Sequence, residues 1–266
     1  MKLAFIGGGV MGEAIISGVL AKGVAQPADI AACDILPARR DHLQATYGVR
    51  VTEQPAAALD GAAIAVLAVK PQEFPAAGRD LAGHVNPRQT VMSIMAGLPI
   101  AAIRGALEHQ AIVRAIPNTP AQIGEGMTVW TATAQVSEAA REEVRRILTV
   151  LGHELYVADE KYVDMATAVS SSGPAYVFLV IEALIDAAVH IGLRRDMAEP
   201  MVLQTVLGSA RYAQASGKHP AQLRNQVTSP AGTTTEALLA LEKAGLRAAF
   251  MEAVQAAYEK AHRLGG

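Results

Sequence analysis

The chain has 266 residues, 51% hydrophobic and 18% charged, with a formal net charge of −2. This is the composition of a well-buried folded protein, and a near-neutral chain without a basic run argues against nucleic acid or an anionic membrane as partner. A single cysteine, Cys33, excludes an internal disulfide and fits a reducing compartment. Met1-Lys2-Leu3-Ala4-Phe5-Ile6 runs straight into glycines and is not a signal peptide. The best apolar run, Ala175 to Ile181, is stopped by Glu182 short of membrane-spanning length. The reading is a cytoplasmic protein with no membrane or nucleic-acid partner, and no metal site is expected.

Leu3 to Ile6 is a short apolar strand. Gly7-Gly8-Gly9-Val10-Met11-Gly12 comes next, then a helical pattern from Glu13 to Lys22. This is G-x-G-x-x-G between strand and helix, the context a dinucleotide-binding fingerprint requires. Gly7 permits the tight turn, Gly9 lets a pyrophosphate approach the backbone, and Gly12 lets the helix pack closely on the strand. The next strand, Ile30 to Cys33, ends at Asp34, about 20 residues past the fingerprint, where an acidic side chain can hold adenosine ribose hydroxyls. Asp34 favours NAD, whereas Arg39 and Arg40, at the start of the helix Pro37 to Tyr47, offer charge for the 2′-phosphate of NADP. The two signals conflict, and the cofactor preference stays open at this point.

Further βα alternation continues the chain. Ala63 to Val69 is a continuous apolar run, the pattern of a parallel strand buried on both faces, and it closes on Lys70-Pro71. Thr90 to Ile94 closes on Ala96-Gly97, and Ala111 to Ile116 closes on Pro117-Asn118-Thr119-Pro120. In an open parallel sheet, ligands bind beyond the carboxyl ends of the strands, where Lys70, Ala96 and Asn118 all lie. Gly126 to Ala132 and His153 to Val157 add strands on either side of a helix capped by Ser137. From about Glu160 the strand signals stop. A long helix, Ala175 to Ile191, carries Glu182, Asp186 and His190 as one polar stripe on an apolar surface, so it is buried in a core or a subunit interface. On that stripe, His190 is expected to partner Asp186. Helices over Arg195–Ser216, Ala221–Asn225 and Leu246–Leu264 complete the pattern.

Between the last two lies Val227-Thr228-Ser229-Pro230-Ala231-Gly232-Thr233-Thr234-Thr235-Glu236. Ser-Pro starts a turn, and Thr233 with Glu236 three residues on reads as a capping box opening a helix. A helix N-terminus with unpaired N–H groups suits a carboxylate or phosphate, and the hydroxyls of Ser229, Thr233, Thr234 and Thr235 surround it. The expected architecture is an α/β Rossmann-like dinucleotide-binding domain over residues 1–159, succeeded by an all-helical domain over 160–266.

With both halves in view, the sequence resembles the pyrroline-5-carboxylate reductase family across essentially its whole length. The residues carrying the resemblance are Gly7-Gly8-Gly9-Val10-Met11-Gly12, Ala68-Val69-Lys70-Pro71-Gln72, Ile116-Pro117-Asn118-Thr119-Pro120, Ser171-Ser172-Gly173-Pro174-Ala175-Tyr176 and Val227 to Thr234. The resemblance implies reduction of Δ1-pyrroline-5-carboxylate to L-proline, the last step of proline biosynthesis, with NADPH or NADH. It implies an intertwined dimer formed by the helical domain, and assembly of dimers into larger rings. Gly7, Gly9, Met11, Gly12, Asp34, Arg39, Ala68, Lys70, Pro71, Ala96 and Asn118 would then line the cofactor. Ser229, Gly232 and Thr233 would bind the substrate carboxylate, with Thr234 facing the imine nitrogen. One residue departs from the pattern: Ala231 stands where the family commonly has glycine, and a positive φ there would strain it. The nearest rival, a β-hydroxyacid-type dehydrogenase, uses a lysine on the first long helix after the Rossmann domain, and Ala175 to Ile191 contains none.

Overall fold

The computed structural model describes residues 1–265, with side chains to Arg263. Its secondary structure falls into two compact units: Met1–Pro174 joined by the chain from Ala257 on, and Ala175–Ala256.

The first unit is built on one eight-stranded sheet. Its strands are β1 (Leu3–Ile6), β2 (Ile30–Cys33), β3 (Arg50–Thr52), β4 (Ile64–Leu67), β5 (Thr90–Ser93), β6 (Ile112–Ile116), β7 (Gly126–Ala132) and β8 (Gly152–Tyr156). Their spatial order is β3-β2-β1-β4-β5-β6-β7-β8. Every pairing is parallel except β6 with β7. The strand order therefore reverses direction at β1, which pairs with β2 on one side and β4 on the other. That crevice is the topological switch point where open α/β sheets bind ligands.

Successive residues of a strand point to opposite faces, and both faces here are buried. Leu3 and Phe5 enter one core with Ile15, Ile16, Val19 and Trp130. Ala4 and Ile6 enter the other with Leu67, Phe74 and Leu81. The helices covering these faces are α1 (Val10–Ala21), α2 (Pro37–Tyr47), α3 (Pro55–Ala58), α4 (Phe74–Leu81), α5 (Ile100–Leu107) and α6 (Glu138–Thr149). Ser137 caps α6 as expected, its Oγ accepting from Ala140 N–H at 3.2 Å.

A buried charge ties the sheet to the first helix beyond it. Arg114, in the middle of β6, is 2% exposed and donates to Glu160 Oε1 at 2.8 Å and Asp164 Oδ1 at 2.5 Å. Glu160 Oε1 also accepts from Ile100 N–H, so the start of α5 shares the same anchor. Glu160 is the N-cap of α7 (Lys161–Ala166) and Asp164 lies on its first turn; the helix continues through a π-helical turn, Thr167–Ser171, into α8 (Gly173–His190). The N–H of Ser172 reaching the Thr167 carbonyl at 2.9 Å closes the wide turn. The sequence pattern gives this helix as Ala175 to Ile191, whereas the continuous helix begins at Lys161. Proline is tolerated at 174 because the π turn already displaces the local hydrogen-bond ladder.

The second unit holds most of α8, then α9 (Arg195–Ser216), α10 (Pro220–Gln226), α11 (Thr233–Lys243) and most of α12 (Leu246–Gly265). Among its described residues only Ala198 is buried, while Phe178, Leu179, Ile191, Met201, Leu203 and Met251 stand exposed. His190 does not partner Asp186: that carboxylate accepts from Arg195 Nη2 at 2.8 Å, an exposed pair across the α8–α9 turn.

Candidate functional site

The glycine loop joins β1 to α1, and the structure divides the work among its glycines. Gly7 sits at φ +101°, and a Cβ there would come within 2.7 Å of the Ala68 backbone. At Gly12 a Cβ would meet the Gly7 carbonyl oxygen at 2.6 Å. Both are therefore glycine because of what packs against them. Gly9 is different: its φ is an ordinary −66° as the N-cap of α1, and a Cβ would meet nothing within 4 Å. The empty face of Gly9, before the unpaired amides of a helix N-terminus, is what a pyrophosphate needs. Met11 lies on the first turn of α1, half-buried against the core.

β1, β4, β5 and β6 run parallel, so their carboxyl ends open on one side of the sheet. Ala68, half-buried, succeeds β4 and donates its N–H to the Ile6 carbonyl at 2.8 Å, which fixes it against the glycine loop. Lys70 and Pro71 form the next turn, where Lys70 N–H donates to Glu73 Oε2 at 3.2 Å. Ala96, after β5, is half-buried beside Gly97 at φ +73°. Asn118, after β6, has both ends of its side chain engaged. Its Oδ1 accepts from Met127 N–H at 2.9 Å, and its Nδ2 donates to the Ser170 carbonyl at 3.2 Å, inside the π-helical turn. A cavity of about 660 Å³, lined by Asp60, His84 and Arg88 among others, lies at the opposite, amino-terminal ends of β4 and β5.

Asp34 and Arg39 both converge on Gly8. Asp34 Oδ2 accepts from Gly8 N–H at 2.8 Å, while its Oδ1 accepts from Leu36 N–H at 2.9 Å. Arg39 donates through Nε to the Gly8 carbonyl at 2.9 Å, and through Nη2 to the same carbonyl and to Glu13 Oε2. Arg40 is spent on the carbonyls of Asp34 and Ile35. Glu13, on the first turn of α1, also receives His42 Nε2 at 2.7 Å and the Tyr47 hydroxyl at 2.9 Å. Burial alone would raise the Glu13 carboxyl; the donors Arg39, His42 and Tyr47 outweigh it and hold it at about 2. Cys33, beneath this corner, is pushed up to about 11 by burial and is chemically quiet.

In the second unit, the stretch between α10 and α11 forms a tight loop. Ala231 adopts φ +56°, one of two non-glycine residues with positive φ among the described residues. Gly232, extended at φ −82°, ψ 166°, is the N-cap of α11, and the helix begins at Thr233. The expected capping box does not form: α11 has no side-chain cap. The left-handed turn at Ala231 moves the helix entry one residue early, so Thr233 has helical backbone and Gly232, which has no side chain, takes the N-cap position. Thr235 closes the loop instead, its Oγ1 donating to the Ser229 carbonyl at 2.9 Å and its N–H to the Gly232 carbonyl at 3.1 Å. The N–H groups of Thr233 and Thr234 precede any possible helical acceptor. A Cβ on Gly232 would lie 2.4 Å from Ser229 Oγ, so the small residue lets Ser229 fold over the helix start.

Comparison with known proteins decides the family. The family profile for pyrroline-5-carboxylate reductase dimerisation matches residues 160–264, and that for F420-dependent NADP oxidoreductases matches residues 2–97. A pyrroline-5-carboxylate reductase from Synechocystis sp. is 43% identical over 265 residues, covering 100% of this chain and 98% of the relative. The chain belongs to the pyrroline-5-carboxylate reductase family. Among solved structures, the Plasmodium falciparum pyrroline carboxylate reductase with NADP bound superposes with a TM-score of 0.91 at 30% identity, covering 100% of this chain and 98% of that one. The Coxiella burnetii pyrroline-5-carboxylate reductase does so with a TM-score of 0.90 at 34% identity, with the same coverage.

The family gives the exposed helical faces their meaning: this is a self-associating region. The helix Lys161–His190 is 30 residues long and, among the described residues, the one long and apolar enough by composition to cross a membrane. The apolar pattern alone stops short of that length at Glu182; the helix reaches it by running on past Glu182 to His190. The dimerisation match, residues 160–264, covers the whole of this helix, which makes a protein surface its natural cover.

Sequence reasoning missed Arg114 and the Glu13 cluster. A lone arginine inside an apolar strand, with Glu160 and Asp164 spaced four apart later, was a usable signal. The meeting of Glu13 with Arg39, His42 and Tyr47 depends on α1 and α2 packing side by side, which no local pattern announces.

Proposed function

We infer that this chain reduces Δ1-pyrroline-5-carboxylate to L-proline, with NADP(H) as its cofactor and NAD(H) as a second candidate. The observation that carries the activity is full-length relatedness to proteins of that name. The glycine loop fits the cofactor: Gly7 and Gly12 close the turn, and Gly9 leaves the helix N-terminus bare. Gly9 would meet the pyrophosphate, with Gly7, Met11 and Gly12 shaping the loop and first turn that present it, and Asp34 and Arg39 would shape the adenosine end. Ala68, Lys70, Pro71, Ala96 and Asn118 would flank the remainder.

When bound, the reduced nicotinamide would supply the hydride that adds to the carbon of the C=N bond, and the nitrogen takes up two protons in all, the first of them forming the iminium, to end as an ammonium. A cyclic imine is basic enough to be partly protonated near neutral pH, so the chain has little acid chemistry to perform. Its task is orientation, with binding energy drawn from the remote carboxylate. The amides of Thr233 and Thr234 and the Ser229 hydroxyl at the start of α11 would hold that carboxylate, and Gly232 would let them converge. Thr234 would hydrogen-bond the imine nitrogen. We place the boundary between cofactor and dimerisation functions at residues 159 and 160, which the start of the dimerisation match supports, and read the assembly as an intertwined dimer able to form larger rings. Location in the cytoplasm accords with this biosynthetic role. The test is consumption of NADPH on addition of pyrroline-5-carboxylate, with proline formed in equal amount, repeated with NADH.

A further inference from the structure

Resting on that reading of the glycine loop, we propose that Arg39 is a positioning residue that braces the loop through the Gly8 carbonyl, and is not the ligand of a cofactor 2′-phosphate. The Gly8 residue is gripped at both ends. Its N–H donates to Asp34 Oδ2 at 2.8 Å, and its carbonyl accepts from Arg39. Arg39 is in turn held by Glu13 at 2.7 Å, and Glu13 is oriented by His42 and Tyr47 at 2.7 and 2.9 Å. The Nε–Nη2 edge of the guanidinium is thus used on both the loop backbone and the helix that the loop opens. Arg40 is no better placed for a phosphate, since its Nη1 donates to the carbonyls of Asp34 and Ile35 at 2.7 and 3.1 Å.

The brace has a reason to exist. Gly8 has no side chain to fix it, and a methyl there would collide, lying 2.5 Å from the Leu43 side chain and 3.4 Å from Asp34. Its peptide planes are therefore set by hydrogen bonds, and the next peptide leads into Gly9, whose open face receives the pyrophosphate. Fixing Gly8 fixes that face for either cofactor, because NADH and NADPH share the pyrophosphate and differ only at the ribose.

The test is the affinity of the full-length protein for NADPH and NADH, each titrated by cofactor fluorescence without substrate. Arg39→Gln should weaken both by a similar factor, on the order of tenfold, the loss expected when charge-assisted hydrogen bonds are removed. Whatever binding Arg39→Lys recovers should be shared equally by both cofactors, since a cation at this point serves the loop backbone and Glu13 and not a phosphate. Glu13→Gln, which leaves Arg39 in place but loosens its anchor, should weaken both cofactors in the same ratio by a smaller factor; it carries the test should Arg39→Gln fail to fold. Loss of NADPH affinity alone, with rescue by lysine, would overturn the proposal and make Arg39 a phosphate ligand. Unchanged affinity for both cofactors with only a lowered unfolding temperature would overturn it too. A wild-type protein that binds neither cofactor would instead bring down the reading of the loop on which the proposal rests.

Discussion

Ala231→Gly isolates the strain in the substrate loop. Ala231 lies at φ +56° and is exposed, so removing its methyl forfeits no buried contact. A left-handed conformation costs a non-glycine residue roughly 1–2 kcal/mol. Glycine returns about 0.5–1 kcal/mol of that through the larger entropy of its unfolded chain. The balance is a stabilisation of about 0.5–1 kcal/mol, measured by denaturant unfolding at a fixed protomer concentration, because a self-associating protein's stability depends on concentration. The loop is otherwise held by Thr235 Oγ1 on the Ser229 carbonyl and by Gly232 N–H on the same oxygen at 3.1 Å, so glycine has the same conformation to adopt. A variant less stable than the parent by about 1 kcal/mol or more would refute the reasoning, since it would mean that position 231 is not held in the left-handed region.

Gly9→Ala should leave unfolding within about 0.5 kcal/mol of the parent, because nothing lies within 4 Å of the added methyl, yet raise the KM for NADPH roughly tenfold by standing where the pyrophosphate approaches. Gly12→Ala should instead damage folding, detectable as a lowered unfolding temperature, through its 2.6 Å collision with the Gly7 carbonyl oxygen. Thr234→Ala should lower kcat by roughly tenfold or more with stability unchanged; near-normal turnover would remove Thr234 from the chemistry. Arg114→Met should cost about 2–3 kcal/mol in a denaturant titration by leaving Glu160 and Asp164 without their shared cation, a cost moderated because both carboxylates retain some contact with water. Glu13 provides a pH test: its folded value, about 2, lies below its unfolded 4.5. A depressed carboxylate stabilises the fold above the unfolded value and loses that contribution as pH falls toward the folded one, here between pH 4.5 and 2. After solvent screening the contribution is on the order of 2 kcal/mol, and unfolding curves of Glu13→Gln should lack this loss of stability as pH falls through that window.

The sheet was legible because its strands are either buried runs or clean punctuation. β1 and β2 end where Gly7 and Asp34 require, and β7 is bounded by Gly126 and Thr133. β3 escaped because Arg50–Thr52 is three residues long and only partly buried, so its pairing with β2 rests on tertiary packing. The helix start at Thr233 differs by one residue from the sequence expectation for a definite reason: the capping box is a local pattern, and it yields to the left-handed turn at Ala231, which the side chains do not advertise. The departure at Ala231 itself was visible in the sequence, together with the strain a positive φ would bring. Asp34 and Arg39 were legible as a pair near the cofactor, but their shared grip on Gly8 was not, because it needs α1, α2 and the glycine loop in place together.

The reductase activity meets its most direct test in one cuvette: purified full-length protein with NADPH and Δ1-pyrroline-5-carboxylate, monitoring NADPH absorbance and assaying proline at the end. The expected result is NADPH consumption that requires the substrate, matched by an equal amount of proline. NADPH that binds but is not consumed when the substrate is added would contradict it.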